Sequence, residues 1–461
     1  MIEFEEFKKN FNQYFWKSFK KLPIPLCKKE DREFLVESVY LSIRDKSYYP
    51  STPAYYLIKN KGMGVARVIP VFTAKDYCVY YFCILRLESL IATNRVENTF
   101  GGWSVSRLDV RDKEEKELDD KKKEYDQYEN EMADWLGIST PSYSFNPGAW
   151  SKIYGDFNAK LYSSIKTDGH KYYAEFDISN FYDSIRLDLL ERKILQQFDN
   201  KHEEEISLLF HFLQYWNRNL NNYNRQSVGI PQEAMNDCSR ILANFYLQEY
   251  DIFLSNLCKQ NDATYFRYAD DQFLFADSQK KLEYLIYRAS KKLKAIGLSV
   301  NQKKVQIGKI EDLVKYRTFE IFNRLANDAD KQNIQKVEAF VDDYFALVDR
   351  DELSNVKKGG VHILNKALFC SIENLRSSKK VRLLSCYLQD SYLLEASSGQ
   401  LERIYFLLKE KNDREKFINQ LTSLSETSFH NYFHYQVLVC FRKWRIDFAP
   451  IEKRIEKLRE E

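Results

Sequence analysis

The sequence predicts an α+β fold, an antiparallel sheet packed on helices and followed by an all-α C-terminal region. Three observations carry that reading. The run FRYADDQFLFA, residues 266–276, sets two apolar stretches around an Asp-Asp pair and reads as a β-hairpin with Tyr268-Ala269-Asp270-Asp271 at its tight turn. From about residue 325 onwards the pattern turns wholly helical, with apolar residues at three- and four-residue steps in QNIQKVEAFVDDYFALV, HILNKALFCSIENL, KVRLLSCYLQDSYLL, QLERIYFLLKE and FHYQVLVCFRKW. At 461 residues the chain exceeds the usual size of a single core, so two or three domains are expected.

In chain order, Phe4, Phe7, Phe11, Phe15 and Phe19 recur at helical spacing and predict an amphipathic first helix that packs on the elements after it. Residues 1–50 read as an N-terminal basic amphipathic helical segment, with seven lysines and no acid between Lys8 and Lys29. In LIKNKGMGVARVIPVFTAKDY, residues 57–77, two short apolar runs flank a glycine turn, a hairpin with Lys59, Lys61 and Arg67 pointing outward. Residues 111–133 form a mixed-charge, helix-prone stretch that reads as a solvated helix, and residues 141–165 carry Pro, Gly and Trp punctuation. The central domain is expected over 51–310 and the helical region over 311–461, with no visible sequence period.

A net charge of +3 is nearly neutral, so any nucleic-acid surface must be local. The eight cysteines show no CxxC pair and no His at ligand spacing, which argues against a zinc site or a disulfide framework. No apolar run reaches the length of a membrane span, and the acidic N-terminus MIEFEEF does not read as a signal peptide. A reduced cytoplasmic protein without a membrane partner is expected.

The chemistry is concentrated in the paired carboxylates. Asp270 and Asp271 lie inside an apolar stretch, and 93 residues upstream Asp177 sits in YYAEFDISNFYDSI. Adjacent buried carboxylates raise the energy of ionising one another unless a cation of high charge sits between them. Three such groups can hold two Mg²⁺ ions about 3.5–4 Å apart, with Mn²⁺ able to substitute, in the arrangement used for phosphoryl transfer.

These motifs resemble those of reverse transcriptases. Tyr268-Ala269-Asp270-Asp271 matches the YxDD box, and Phe176-Asp177-Ile178-Ser179-Asn180-Phe181-Tyr182-Asp183-Ser184-Ile185 matches the first catalytic-aspartate motif. Between them SVGIPQEAMNDCSRILANFYLQEYD is similar to a GxPQ segment followed by a helix, and GLSVNQKKVQI, residues 297–307, to the motif with glycine, leucine, asparagine and lysine. Four motifs in the family's order span about residues 176–307, with a weaker match back to about residue 55. The resemblance implies a right-hand polymerase with fingers and palm over the central domain and a helical thumb after it.

It also implies roles. Asp177, Asp270 and Asp271 would be catalytic and metal-binding, with the backbone carbonyl of Ile178 as an extra ligand. Tyr182 would lie under the sugar of the incoming nucleotide, where a large ring excludes a 2′-hydroxyl and favours dNTP over NTP. Gln232 would present its amide to the nucleotide, and Arg67 with Lys61 would neutralise the triphosphate, a guanidinium gripping phosphate oxygens bidentately. Lys304 is the expected general acid for the pyrophosphate leaving group, with Lys303 the alternative if the register is off by one. Lys59, Asn236, Arg240 and Tyr268 are the expected nucleic-acid contacts. The usual glycine after the glutamine is Glu233 here, a departure that bears on the template approach rather than the metal chemistry.

The helical extension resembles that of bacterial abortive-infection and defence-associated reverse transcriptases, related to retron and group II intron enzymes. It implies antiphage defence, an RNA template supplied by a dedicated non-coding RNA, dNTPs, a DNA product, and a homo-oligomer as one option. Retron-type enzymes remain the nearest competitor, although the Val-Thr-Gly triplet is absent and Tyr162 stands where a histidine is expected after Asn158-Ala159. Template-independent DNA synthesis, an RNA-templated RNA polymerase and a non-catalytic nucleic-acid-binding scaffold are the other readings.

Overall fold

The computed structural model describes residues 3–11, 15–16, 19, 22, 24, 26–60, 65–92, 95–101, 150–197, 202–217, 229–232, 237–326 and 328–460. Lys61, Glu233, Asn236, the 111–133 stretch and Lys17, Lys20 and Lys21 of the basic segment lie outside them. The chain is mixed α and β and divides into two compact units. One runs to Leu57, resumes at Ile69 and ends at Ile310; the other takes Ile58–Val68 and the chain from Glu311.

The first unit is built on a five-stranded sheet. Its strands are β3 (Thr99–Phe100), β4 (Tyr172–Phe176), β5 (Thr264–Tyr268), β6 (Asp271–Ala276) and β7 (Gln306–Lys309), after β1 (Tyr55–Asn60) and β2 (Ala66–Val71), which pair separately. The order across the large sheet is β3-β5-β6-β4-β7, antiparallel except for the parallel β3–β5 edge.

The β5–β6 hairpin forms as the sequence predicts, with Tyr268 opposite Asp271 and Ala269-Asp270 as its two-residue turn. Helices cover both faces of this hairpin. Phe157, on the helix Trp150–Thr167, packs against Tyr268 and Phe273, while Tyr250 and Asp251, on the helix Asp237–Gln260, bond to Gln272 and Arg267. Double cover explains why β6 is buried from Gln272 to Ala276 instead of alternating, as strands buried on both faces do.

The phenylalanine series at the N-terminus is not one continuous described helix. The described helix is Phe4–Lys9, and the Asn10 side-chain amide donates back to the carbonyls of Glu6 (3.1 Å) and Phe7 (2.9 Å) at its end. The rings are buried all the same. Phe7, Phe15 and Phe19 pack, tilted or edge-on, against Phe82, Tyr81 and Tyr77 of the helix Ala74–Ile91, which is buried nearly all round. Thr73 caps that helix by accepting from the Asp76 N–H, a satisfied N-terminal donor. Lys8, expected in a basic patch, is paired with Glu33.

The second unit is helical. Ile334–Asp349 and Ser398–Leu407 follow the predicted periodicity, and the capping box at Ser397 and Gln400 starts the latter. Two predicted helices are interrupted. HILNKALFCSIENL is α-helical only to Leu368 and resumes as a short 3₁₀ turn at Ile372–Asn374; KVRLLSCYLQDSYLL breaks between Tyr387 and Asp390. Lys411–Thr427 and Ala449–Glu460 are additional helices whose polar composition hid them, and Asn431–Trp444 carries the last predicted stripe. Among the described residues no helix is long and apolar enough to cross a membrane.

Candidate active site

Strand register brings the carboxylates to one end of the sheet. Phe176, the last residue of β4, pairs with Gln272, so Asp177 leaves the strand at the end where β6 begins with Asp271, and Asp270 occupies the turn closing β6 onto β5. Asp177 is 5% exposed and its Oδ1 is buried without a hydrogen-bond partner. Burial and, next, the neighbouring Asp271 push the Asp270 carboxyl up to about 6, and Asp177 adds to the same effect. An orphaned carboxylate oxygen beside a carboxyl that resists ionisation is a donor set short of positive charge, which is the environment a divalent cation relieves. Among the described residues no group of three or more His, Cys, Asp or Glu side chains is placed so that it could hold a metal ion as it stands.

The positive charge present is Lys304. The Asn301 N–H donates to the Asp177 carbonyl (2.9 Å), which starts a single 3₁₀ turn, Gln302–Lys304, and that turn carries the Lys304 ammonium to Asp177 Oδ2 at 2.5 Å. Hydrogen bonding to Asp177 raises the Lys304 pKa above its ordinary value, so it is held protonated. Both lysines the sequence left open are exposed, and it is Lys304 that makes this pair.

Ile178, 2% exposed, forms an isolated antiparallel bridge with Val300. The two bonds of that bridge belong to its neighbours, Asn301 N–H to the Asp177 carbonyl and Ser179 N–H to the Ser299 carbonyl, so the Ile178 carbonyl faces away from Val300. Tyr182 follows on the short helix Phe181–Ser184, entered through Asn180 at φ +44°. Its carbonyl accepts from the Ile230 N–H at 3.0 Å. Gly229, at φ +75°, lies so close that an added Cβ would stand 2.5 Å from that carbonyl oxygen. The Gly-Ile-Pro turn is thereby docked on the Tyr182 backbone and sets the half-buried Gln232 at its exit.

The remaining expected contacts are distributed. Tyr268 is half-buried, packed edge-on against Tyr154 (5.0 Å) and against Phe157 (5.4 Å), and burial raises its phenol pKa. Arg240, half-buried on the helix Asp237–Gln260, is close enough to Tyr268 to act on it electrostatically. Lys59 and Arg67 belong to the second unit. The outward orientation expected for Lys59 is corrected: its ammonium lies 4.9 Å over the Tyr432 ring, and burial, followed by Lys358 and Arg67, lowers its pKa. Arg67 is half-buried with its Nε lacking a hydrogen-bond partner.

Sequence reasoning missed the side chain that ties the turn down. Arg267 is 1% exposed on β5, forked onto both oxygens of Asp251 and bonded to Asn244 and to the carbonyl of Ala269. An arginine in an otherwise apolar strand, with an aspartate on the apolar-rich helix before it, was the available signal.

Residues 129–321 match the family model described as reverse transcriptase (RNA-dependent DNA polymerase). Over 116 residues the chain is 31% identical to the retron Ec83 reverse transcriptase of Escherichia coli, a stretch covering 25% of this chain and 33% of that protein. The chain thus aligns with about a third of the length of this curated relative. Among solved structures, a C-terminally truncated apo telomerase from Candida tropicalis is 13% identical over 61% of this chain and 56% of that chain, with a TM-score of 0.31. Telomerase from Candida albicans with a TWJ fragment of telomeric RNA is 12% identical over 93% and 70%, with a TM-score of 0.32. Scores this low establish no shared architecture. The family match encloses Asp177, Tyr182, Gln232, Asp270, Asp271 and Lys304: over residues 129–321 this chain is similar to a reverse transcriptase domain, and over part of its length to a retron enzyme.

Proposed function

We propose that the chain is an RNA-directed DNA polymerase that acts at Asp177, Asp270 and Asp271. The single observation that carries this reading is the register that sets three carboxylates at one sheet end, one with an orphaned buried oxygen and one pushed up to about 6, inside a reverse transcriptase match. Two divalent ions, Mg²⁺ or Mn²⁺, held by these three side chains and the Ile178 carbonyl, would activate the attacking hydroxyl and stabilise the leaving oxygen. Lys304, kept protonated beside Asp177, is the group to donate a proton to departing pyrophosphate. Tyr182 is the sugar gate and Gln232 the nucleotide contact, joined through the Gly229 turn. Lys61 and Arg67 take the triphosphate; Lys59, Asn236, Arg240 and Tyr268 take template and primer. In this reading β1–β2 belong to the fingers, the five-stranded sheet with its covering helices is the palm, and the helices after residue 310 make the thumb and extension.

The template is RNA, supplied by a dedicated non-coding RNA, and the biological role is antiphage defence in the cytoplasm. The helical extension supports that role, while the 31% identity to a retron enzyme favours a second reading as a retron-type reverse transcriptase. Primer extension on an RNA template with dNTPs tests the shared core. The Asp270→Ala/Asp271→Ala double variant is expected to lose synthesis, and synthesis retained by it removes the mechanism. Chelation by EDTA is expected to abolish activity, with Mg²⁺ or Mn²⁺ restoring it. Sequencing the nucleic acid that co-purifies distinguishes a dedicated RNA from none.

A further inference from the structure

Ala269, the first residue of the Ala269-Asp270 turn, is gripped through both of the peptides that flank it. Ala269 has φ +53°, a left-handed conformation that costs a residue bearing a Cβ and persists where the surroundings enforce it. On one side its N–H donates to the Phe100 carbonyl at 3.1 Å, and Gly101 lies so near that an added Cβ would stand 3.3 Å from the Ala269 nitrogen. On the other side Arg267 Nη1 donates to the Ala269 carbonyl at 2.8 Å. That carbonyl belongs to the peptide bonded directly to Asp270.

Arg267 is itself immobilised. Its Nε and Nη2 bond the two oxygens of Asp251 at 2.8 and 2.5 Å, and Nη1 also reaches Asn244 Oδ1 at 2.8 Å. Asp251 further accepts from the Tyr265 hydroxyl at 2.8 Å. A buried ion pair is by itself weak evidence for stability, since an apolar pair of similar volume often does as well. What an apolar pair cannot supply is a donor fixed at the turn carbonyl. A lysine cannot supply it either, because a single ammonium cannot hold both Asp251 oxygens and still span to Asn244 and Ala269.

We propose that Arg267, anchored by Asp251 and Asn244, is a positioning residue for nucleotidyl transfer: it fixes the Ala269-Asp270 peptide and so aims the Asp270 carboxylate. The inference rests on the polymerase reading for its catalytic consequence, but not for its structural one. Its test therefore has two readouts on the full chain, steady-state primer extension and Mn²⁺ binding followed by electron paramagnetic resonance, each made well below the variant's own Tm.

Arg267→Lys is expected to lower kcat by about tenfold or more, as misaligned reacting groups do, with the dNTP KM within about twofold. Mn²⁺ binding is expected to weaken by about threefold or more, because metal-site residues held by outer partners lose affinity when those partners go. Asn244→Ala leaves the Arg267–Asp251 pair in place and serves if Arg267→Lys does not fold; a smaller loss of about threefold in both readouts is expected. Mn²⁺ affinity equal to wild type in the folded variant overturns the proposal, as does unchanged kcat. A wild-type protein that makes no DNA while the Mn²⁺ difference persists would instead remove the polymerase reading and leave the positioning role standing.

Discussion

At the residue scale, Asp270 departs furthest from ordinary carboxylate chemistry. Its carboxyl is raised from 3.8 to about 6 by burial and by Asp271. A raised acid is protonated in the folded chain while the unfolded chain has already lost its proton. The folded state is therefore penalised as pH climbs from about 4 to about 6, and the full penalty, on the order of 2–3 kcal/mol, applies above that window. Asp270→Asn in metal-free protein is thus expected to raise Tm at pH 7.5 and leave it nearly unchanged at pH 4; a Tm gain of equal size at both values would contradict the assignment. Divalent ions should shrink the difference at pH 7.5, since they stabilise the ionised wild type and not the amide. Tyr182 offers a separate test. If its ring blocks a 2′-hydroxyl, Tyr182→Ala should raise kcat/KM for NTPs by about tenfold or more while sparing dNTPs, and unchanged discrimination would move the gate elsewhere.

At the level of elements, the link between the Asp177 motif and the Gly-Ile-Pro-Gln motif is the close approach at Gly229. Gly229→Ala would force a Cβ into the Tyr182 carbonyl and the Asp183 backbone while also straining φ +75°. A loss of about 2–4 kcal/mol in urea unfolding is expected, together with a larger KM for dNTP; wild-type stability would mean the turn does not dock as described. This contact also shows what could be read from the chain alone. The hairpin, its two-residue turn and the long C-terminal stripes were legible because a turn dipeptide and helical periodicity are local signals. The breaks at Phe369 and Leu388 and the polar helix Lys411–Thr427 were not, since tertiary packing overrides weak propensity. Asp177, Asp270 and Asp271 stood out in the sequence through the motifs that carry them, whereas Arg267 did not. Its partners Asn244 and Asp251 come from a helix that ends before β5, and only the packed fold shows what the guanidinium grips.

For the whole molecule, the proposed polymerase function raises the question of which hydroxyl starts synthesis. Either a bound RNA supplies it or a protein tyrosine does, and the helical unit is rich in tyrosine. Burial decides between them for several. Tyr387 is 0% exposed with its hydroxyl donating to the Leu364 carbonyl at 2.8 Å, and Tyr392 donates to Asn365 Oδ1 at 2.6 Å; Tyr435 is 1% exposed. Burial also raises the phenol pKa of Tyr387 and Tyr392, the reverse of what activates a nucleophile. Tyr405 stacks on the Trp444 ring at 4.1 Å and has the Arg414 guanidinium 5.0 Å from its centroid, and Tyr432 lies beneath Lys59. These five side chains are committed to packing, which counts against each of them as the primer; under the proposed function the expected primer is an RNA hydroxyl, delivered by an RNA whose binding weakens steeply with salt. Nascent product should keep its electrophoretic mobility after exhaustive protease digestion and shorten after ribonuclease treatment. A peptide retained on the DNA 5′ end would reject the RNA primer, and mass spectrometry of that peptide would identify which tyrosine the fold had left accessible.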